Sequence, residues 1–97
     1  MYKIYIDLDL KDIVPIFFET REEEISLLEE YYKEKDALNI MKLAHKIKGS
    51  GTSFGFDDLN MIGNKLEEAA KQNDFDKVKI SIEELKNYIS NLEIYYI

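Results

Sequence analysis

The chain has 97 residues, of which 45% are hydrophobic and 34% are charged, so a single domain spanning residues 1–97 with one modest core is expected. Its net charge of -7 disfavours nucleic acid and anionic lipid as partners, and the absence of cysteine excludes disulfides, thiol nucleophiles and thiolate metal sites. No segment approaches the roughly 18 uncharged apolar residues of a membrane span, and the N-terminus lacks the features of a signal peptide, so we expect a cytoplasmic protein without a membrane partner.

The two ends of the chain are predicted to form a small β pair. Over positions 2–8 one side of the segment has Tyr2, Ile4, Ile6 and Leu8, which alternate with Lys3, Tyr5 and Asp7, and residues 94–97 are also β-prone. We expect these two segments to pair as a ribbon. A short helical turn is expected at residues 8–14, because Pro15 lacks an amide hydrogen and fits best in the first turn of the helix that follows.

Four amphipathic helices are predicted at about residues 15–34, 37–54, 57–72 and 74–92, because apolar residues recur there at spacings near three and four. Asp36 and Asp57 are expected to cap the second and third helices, and Asn73 and Asp74 supply the break before the fourth. Short connections cannot carry the chain back to the other end of a helix. The predicted fold is therefore an all-α, antiparallel, up-down-up-down four-helix bundle.

The only histidine, His45, is followed within ten positions by three of the four glycines. Each glycine inside a helix costs about 1 kcal/mol relative to alanine, so the cluster needs a reason. Close packing can explain Gly51, and a helix stop can explain Gly55. Gly49 lies one turn beyond His45 on the same exposed flank, where the missing side chain would leave open space beside the imidazole.

Lys48 and Lys42 lie three residues after and three residues before His45, so either ammonium could offset the charge of a phosphoryl group on the imidazole. A single histidine argues against a metal site, since structural zinc usually takes four ligands. The second helix has no carboxylate within one turn of His45 to act as a base, and the chain has no glycine-rich nucleotide loop. Autophosphorylation from ATP alone is not expected.

The segment AHKIKGSGTSFG at residues 44–55 resembles the signature of histidine-containing phosphotransfer (HPt) domains, which is His, two residues, Lys-Gly-Ser and then a further glycine. The downstream segment NKLEEAA at residues 64–70 is similar to the Leu-Glu segment of the same family. The resemblance covers nearly the whole chain. It implies a four-helix bundle with an exposed, phosphorylated histidine on the second helix.

The resemblance implies a role for each matching residue. His45 would accept a phosphoryl group, on Nε2, from the aspartyl phosphate of a response-regulator receiver domain and pass it to another receiver. Lys48 would contact the phosphoryl oxygens, Gly49 would leave access to them, and Ser50 would support the site by hydrogen bonding. Lys42 is added from helix geometry alone. Candidate docking contacts beside His45 are Met41, Thr52 and Phe56, and Ile13, Ile16 or Phe17 of the upstream helix could extend that surface.

The resemblance also implies receiver domains and a hybrid sensor histidine kinase as partners. Mg²⁺ and most of the catalysis would belong to the receiver, so this chain would be a carrier without a metal or cofactor of its own, rather than an enzyme. We expect a monomer, because one histidine per bundle suffices. The start at Met1 and the lack of linker composition favour a free-standing carrier over a domain excised from a hybrid or chemotaxis-type kinase.

Two alternatives stay open at this point. The chain could bind receivers without carrying phosphate, although a pure binder does not need a nucleophile beside Lys48 and Gly49. It could also be a structural bundle that oligomerises through its terminal tyrosines, although a ribbon packed on the bundle explains those tyrosines equally well.

Overall fold

A computed structural model describes residues 2–51 and 55–97, which are mostly helical. The elements in chain order are β1 (Tyr2–Ile6), a 3-10 helix (Leu8–Ile13), α1 (Val14–Lys33), α2 (Ala37–Ser50), α3 (Asp57–Lys71), α4 (Phe75–Ser90) and β2 (Leu92–Tyr96). The four helices, the short helical turn before α1 and the terminal β pair are thus confirmed. The antiparallel order of the helices stays a prediction from the short connections.

Two tight turns, one between α1 and α2 and one between α3 and α4, are built in the same way. Lys35 and Asn73 adopt positive φ values of 55° and 52°, which place the chain in the left-handed region at the helix end. The following aspartates, Asp36 and Asp74, each cap the next helix by accepting a hydrogen bond from a backbone amide at 3.2 Å. The predicted cap at Asp36 is therefore confirmed.

Two predicted helix ends are wrong by a few residues, and one predicted helix cap is wrong. Helix α2 ends at Ser50 instead of 54, with Gly51 as its C-cap, and the carbonyl of Gly51 accepts a hydrogen bond from the amide of Phe56. Asp57 is the first residue of α3 and not its cap, a position held by Phe56 without a side-chain hydrogen bond. Helix α4 ends at Ser90, and Leu92 belongs to β2 instead. Residues 52–54, predicted as helical, lie outside the described residues.

The terminal strands pair in parallel, in the register Tyr2↔Leu92 to Ile6↔Tyr96. Because the four helices lie between the strands in sequence, the chain has enough length to return in the same direction. The ring of Tyr2 packs edge-on against the buried ring of Tyr88 at 4.8 Å. The ring of Tyr5 on β1 also stacks on that of Tyr95 on β2 at 5.5 Å. These terminal tyrosines therefore contact one another and the bundle within a single chain, as the ribbon interpretation predicted.

Helices α2 and α3 approach each other closely at one glycine. A Cβ added to Gly63 on α3 would lie 2.9 Å from Cα of Lys48 on α2, so no larger residue fits without moving a helix. The core of the protein consists mainly of aliphatic and aromatic side chains, of which the largest fully buried ones are Tyr88, Phe56, Leu28, Ile40, Ile47, Leu59, Leu66, Leu85 and Val78. Within residues 2–51 and 55–97, no helix is both long and apolar enough to cross a membrane.

Candidate functional site

His45 lies in the middle of α2 and points into solvent. Its neighbours Ala44 and Ile47 are fully buried, so the core fixes which face of α2 is turned inward and places residue 45 outside it. The imidazole is 76% exposed. A protein partner therefore has open access to the ring, as the sequence predicted.

A carboxylate that the sequence analysis did not include contacts the imidazole from the neighbouring helix. Oε2 of Glu67 on α3 lies 2.9 Å from Nδ1 of His45, and only 9% of the Glu67 side chain is exposed. Helix α2 itself has no carboxylate within one turn of His45, as predicted. The site nevertheless contains a carboxylate, because α3 packs against α2 and brings Glu67 to the imidazole.

The spacing of apolar residues around Glu67 predicts that its side chain faces the core. Within the segment that resembles the family's Leu-Glu motif, Glu67 follows buried Leu66 and lies four residues after buried Gly63 and three before buried Ala70. This spacing places it on the inward face of an amphipathic helix. A buried carboxylate is costly unless it is paired, so its position predicts a partner on the helix opposite.

The charge of Glu67 decides which imidazole nitrogen carries the proton. Burial alone would raise the pKa of the Glu67 carboxyl, but its hydrogen bond with His45 and the ammonium groups of Lys48 and Lys71 outweigh burial, so the pKa lies below its usual value. The carboxylate is thus ionised near neutral pH and can only accept a hydrogen bond. Nδ1 of His45 must donate, which leaves the lone pair of a neutral imidazole on Nε2.

Lys48 is positioned by the same carboxylate. Its Nζ lies 3.7 Å from Oε1 of Glu67, while 39% of its side chain stays exposed. Glu67 therefore bridges the imidazole through one oxygen and the ammonium group through the other. The arrangement brings a cation, a carboxylate and a nucleophilic ring together on the surface formed by α2 and α3.

The two residues after Lys48 have different surroundings. A Cβ added to Gly49 would meet no atom within 4 Å, so the space predicted beside the imidazole is present on this flank. Ser50 points toward α1, where its Oγ donates to the carbonyl of Ile47 at 2.7 Å and accepts from Nη1 of Arg21 at 2.9 Å. Both hydrogen bonds support the end of α2, and neither involves His45.

Of the two other glycines of the cluster, Gly51 serves the packing role predicted for it, whereas Gly55 is not the stop of α2, which ends five residues earlier at Ser50. A Cβ added to Gly51 would lie 2.6 Å from Cβ of Phe56, a distance that real side chains do not show. Gly55 has a φ of 81°, which favours glycine.

The remaining predicted site residues are only partly placed at the site. Lys42 is exposed on α2, and Met41 is half-buried and packs against the core. Phe56 was predicted as a docking contact but is 1% exposed, with its ring stacked on Phe17 at 4.4 Å, so it offers no surface to a partner. Thr52 lies outside the described residues.

Within the part of the chain that the structure describes, no group of three or more histidine, cysteine or carboxylate side chains is placed to hold a metal ion. The ammonium group of Lys48 lies 3.7 Å from Oε1 of Glu67, so its charge disfavours a cation beside the pair formed by His45 and Glu67.

One comparison with known proteins identifies the family. The model of the Hpt domain matches residues 12–94, which include α1 to α4 and most of β2. No curated protein and no solved structure gave a significant match. The matched region contains His45, Lys48, Gly49 and Glu67, the residues that the fold brings together on one surface. The chain belongs to the Hpt domain family, whose members are histidine phosphotransfer modules of two-component phosphorelays.

Proposed function

We propose that this chain accepts a phosphoryl group on Nε2 of His45 from the aspartyl phosphate of one receiver domain and donates it to the aspartate of another. The observation that supports this most directly is the contact between Glu67 and Nδ1 of His45 at 2.9 Å. It leaves an exposed ring whose free lone pair is on the outer nitrogen.

The proposed step needs no proton transfer. The lone pair of Nε2 attacks phosphorus, a P–N bond forms, and the P–O bond to the receiver aspartate breaks so that the carboxylate leaves with the electron pair. Nδ1 keeps its proton, so the ring becomes cationic. The Glu67 carboxylate then faces that positive charge at hydrogen-bond distance, which stabilises the phosphorylated ring and the transition state leading to it. Donation to the next receiver reverses these steps.

The cations on α2 offset the charge of the phosphoryl group. Lys48 is near the imidazole through its contact with Glu67, and it is exposed enough to turn toward phosphoryl oxygens. Lys42 is one helical turn before His45 on the exposed side and would add a weaker, more screened attraction. Gly49 would leave space for the phosphoryl group and the receiver loop that delivers it.

The chain would act as a carrier and not as an enzyme. The receiver would supply Mg²⁺, the reactive aspartate and most of the catalysis, and a hybrid sensor histidine kinase would supply the phosphoryl group upstream. We place this relay in the cytoplasm and take the chain as a monomer. Docking would use the α2 flank around His45 with half-buried Met41 at its edge, extended by Ile13 at the end of the 3-10 helix and Ile16 on α1, which are 40% and 60% exposed.

A reconstituted relay tests the proposal. One receiver is phosphorylated with a small-molecule donor, freed of that donor and mixed with a second, unphosphorylated receiver in the presence of the chain. We expect the wild-type chain to move label from the first receiver to the second and His45→Gln to move none, with equal helical circular dichroism.

A His45→Gln variant that relays phosphate normally would contradict the proposal. Binding of both receivers without any transfer by the wild-type chain would favour the phosphate-independent binding module instead.

A further inference from the structure

A buried polar cluster connects α1 to the last turn of α2, five residues beyond His45. Arg21 and Glu24 on α1 are 5% and 4% exposed and form an ion pair through Nε of the arginine. Nη1 of Arg21 also donates to Oγ of Ser50 at 2.9 Å, and Ser50 donates in turn to the carbonyl of Ile47. Arg21, Glu24 and Ser50 are named the α1–α2 cluster below.

Stability alone is a poor explanation for this cluster. Two buried charges lose their hydration, and replacing such a pair with apolar side chains of similar volume is often neutral or stabilising. Apolar neighbours for such a replacement are present, since the guanidinium lies 4.9 Å from the ring of Phe17, which stacks on Phe56. What the guanidinium provides instead is a fixed orientation of α1 relative to the end of α2, because its planar fork holds Glu24 and Ser50 at fixed angles.

The last turn of α2 is held from two sides. On the α1 side, Arg21 bonds to Ser50. On the α3 side, Gly63 packs so closely on Lys48 that an added Cβ would lie 2.9 Å from its Cα. Lys48 makes one of these two contacts, and Gly49 lies between Lys48 and Ser50 in the chain. A shift of this turn would change the distance from the Lys48 ammonium to the imidazole and the shape of the open space at Gly49.

We propose that Arg21 is a positioning residue for phosphotransfer, and that it acts through Ser50 to hold Lys48 and Gly49 in place relative to His45. The inference rests on the proposed function. Arg21 and Glu24 are too buried to touch the phosphoryl group or the receiver. Loss of the cluster should therefore lower the rate of the chemical step and leave receiver affinity unchanged.

Two variants test this by different routes. Ser50→Ala removes only the hydroxyl, while the double variant Arg21→Met/Glu24→Met removes both charges together and so avoids an unpaired buried carboxylate. Single-turnover transfer from a phosphorylated receiver is measured over a range of receiver concentrations. We expect the maximal rate to fall about tenfold in each, since a misplacement of about 1 Å can cost up to about 10²-fold, and the half-saturating concentration to stay within about twofold.

Additivity provides a second readout. If Arg21 acts through Ser50, the triple variant should transfer no more slowly than the double variant, because both changes break one chain of contacts. The amide NMR signals of Lys48 and Gly49 should also shift in each variant. A matched control, Lys86→Gln/Glu29→Gln, removes a partly exposed ion pair that joins α1 to α4 at 3.2 Å and should transfer at the wild-type rate.

Three results would overturn the inference: a wild-type rate in the cluster variants, a loss that only matches their unfolded fraction, or rate losses that multiply in the triple variant. His45→Gln run beside them separates this inference from the proposed function. If His45→Gln is inactive while the cluster variants are normal, only the role of Arg21 fails. If His45→Gln still accepts phosphate, the proposed function fails as well.

Discussion

Replacing Glu67 with glutamine tests the link between the buried carboxylate and the reactivity of His45. The substitution keeps size and hydrogen-bonding capacity but removes the charge that faces Nδ1 at 2.9 Å. A hydrogen bond to a charged group contributes about 1.5–3 kcal/mol and a neutral one about 1 kcal/mol. Since the imidazole is 76% exposed, solvent screens part of this difference, and we expect Glu67→Gln to lose about 1 kcal/mol of transition-state stabilisation. That corresponds to a roughly fivefold slower transfer.

The glutamine amide has a second effect on the ring. Its NH₂ group can donate to Nδ1, which the carboxylate cannot do, so part of the population would carry the proton on Nε2 and be unable to attack. Nitrogen-15 NMR of the imidazole should therefore show one neutral tautomer in the wild-type chain and a mixture in Glu67→Gln. The transfer rate is measured in single turnover with the same phosphorylated receiver.

Glu68→Gln is the matched control for this variant. Glu68 is the adjacent residue on α3, but it is exposed and pairs with Lys71 at 3.5 Å, away from the imidazole. Its loss should leave rate and tautomer unchanged. A wild-type rate and a single Nδ1-protonated tautomer in Glu67→Gln would refute the reasoning that the carboxylate controls the nucleophile.

Four further outcomes are expected. Lys48→Ala should slow transfer without abolishing it, because charge stabilisation is lost and the nucleophile kept; a normal single-turnover rate would remove Lys48 from the site. Gly49→Ala should raise the free energy of unfolding by about 1 kcal/mol in urea titrations, since its Cβ meets open space, while transfer slows because that space is filled. Gly63→Ala should instead lower stability by about 1–3 kcal/mol, as its Cβ would clash with Lys48, and equal stability of the two alanine variants would contradict the packing described. The pKa of Glu67 is lower in the folded than in the unfolded state, so the charged carboxylate should make wild type more stable than Glu67→Gln. This extra stability should be fully present above the unfolded pKa of 4.5 and should disappear as pH falls through the folded pKa. Urea titrations from about pH 6 to about pH 3 that show no such loss would contradict the charge assignment.

The helices were predictable because each one buries a continuous apolar stripe. Val78, Ile82 and Leu85 recur at helical spacing and are at most 3% exposed in the structure. Their ends were less predictable, since local hydrogen bonds decide them. Helix α4 stops where the side chain of Asn91 bonds to the carbonyl of Asn87, after which Leu92 pairs with Tyr2 in the sheet. Such competition between a helix and a strand is not visible in apolar spacing.

The candidate site was predictable only along α2. The neighbourhood of His45, Lys48 and Gly49 follows from helix geometry, because residues three and four apart share a face. Glu67 is 22 residues away from His45 in sequence, so its contact depends on how α3 packs against α2. Arg21 is 29 residues from Ser50 and was missed for the same reason. Phe56 was misjudged because an aromatic residue beside a glycine-rich segment can equally well enter the core.

Location of the phosphoryl group is the measurement that tests the central claim most directly. The chain is incubated with a panel of phosphorylated receivers, and the product is analysed by intact mass, acid lability and NMR of the imidazole. The account predicts a gain of one acid-labile, base-stable phosphoryl group on Nε2 of His45, with Nδ1 still protonated and facing Glu67. A phosphoryl group on Nδ1 or on another residue, or no gain from any receiver that binds, would contradict it.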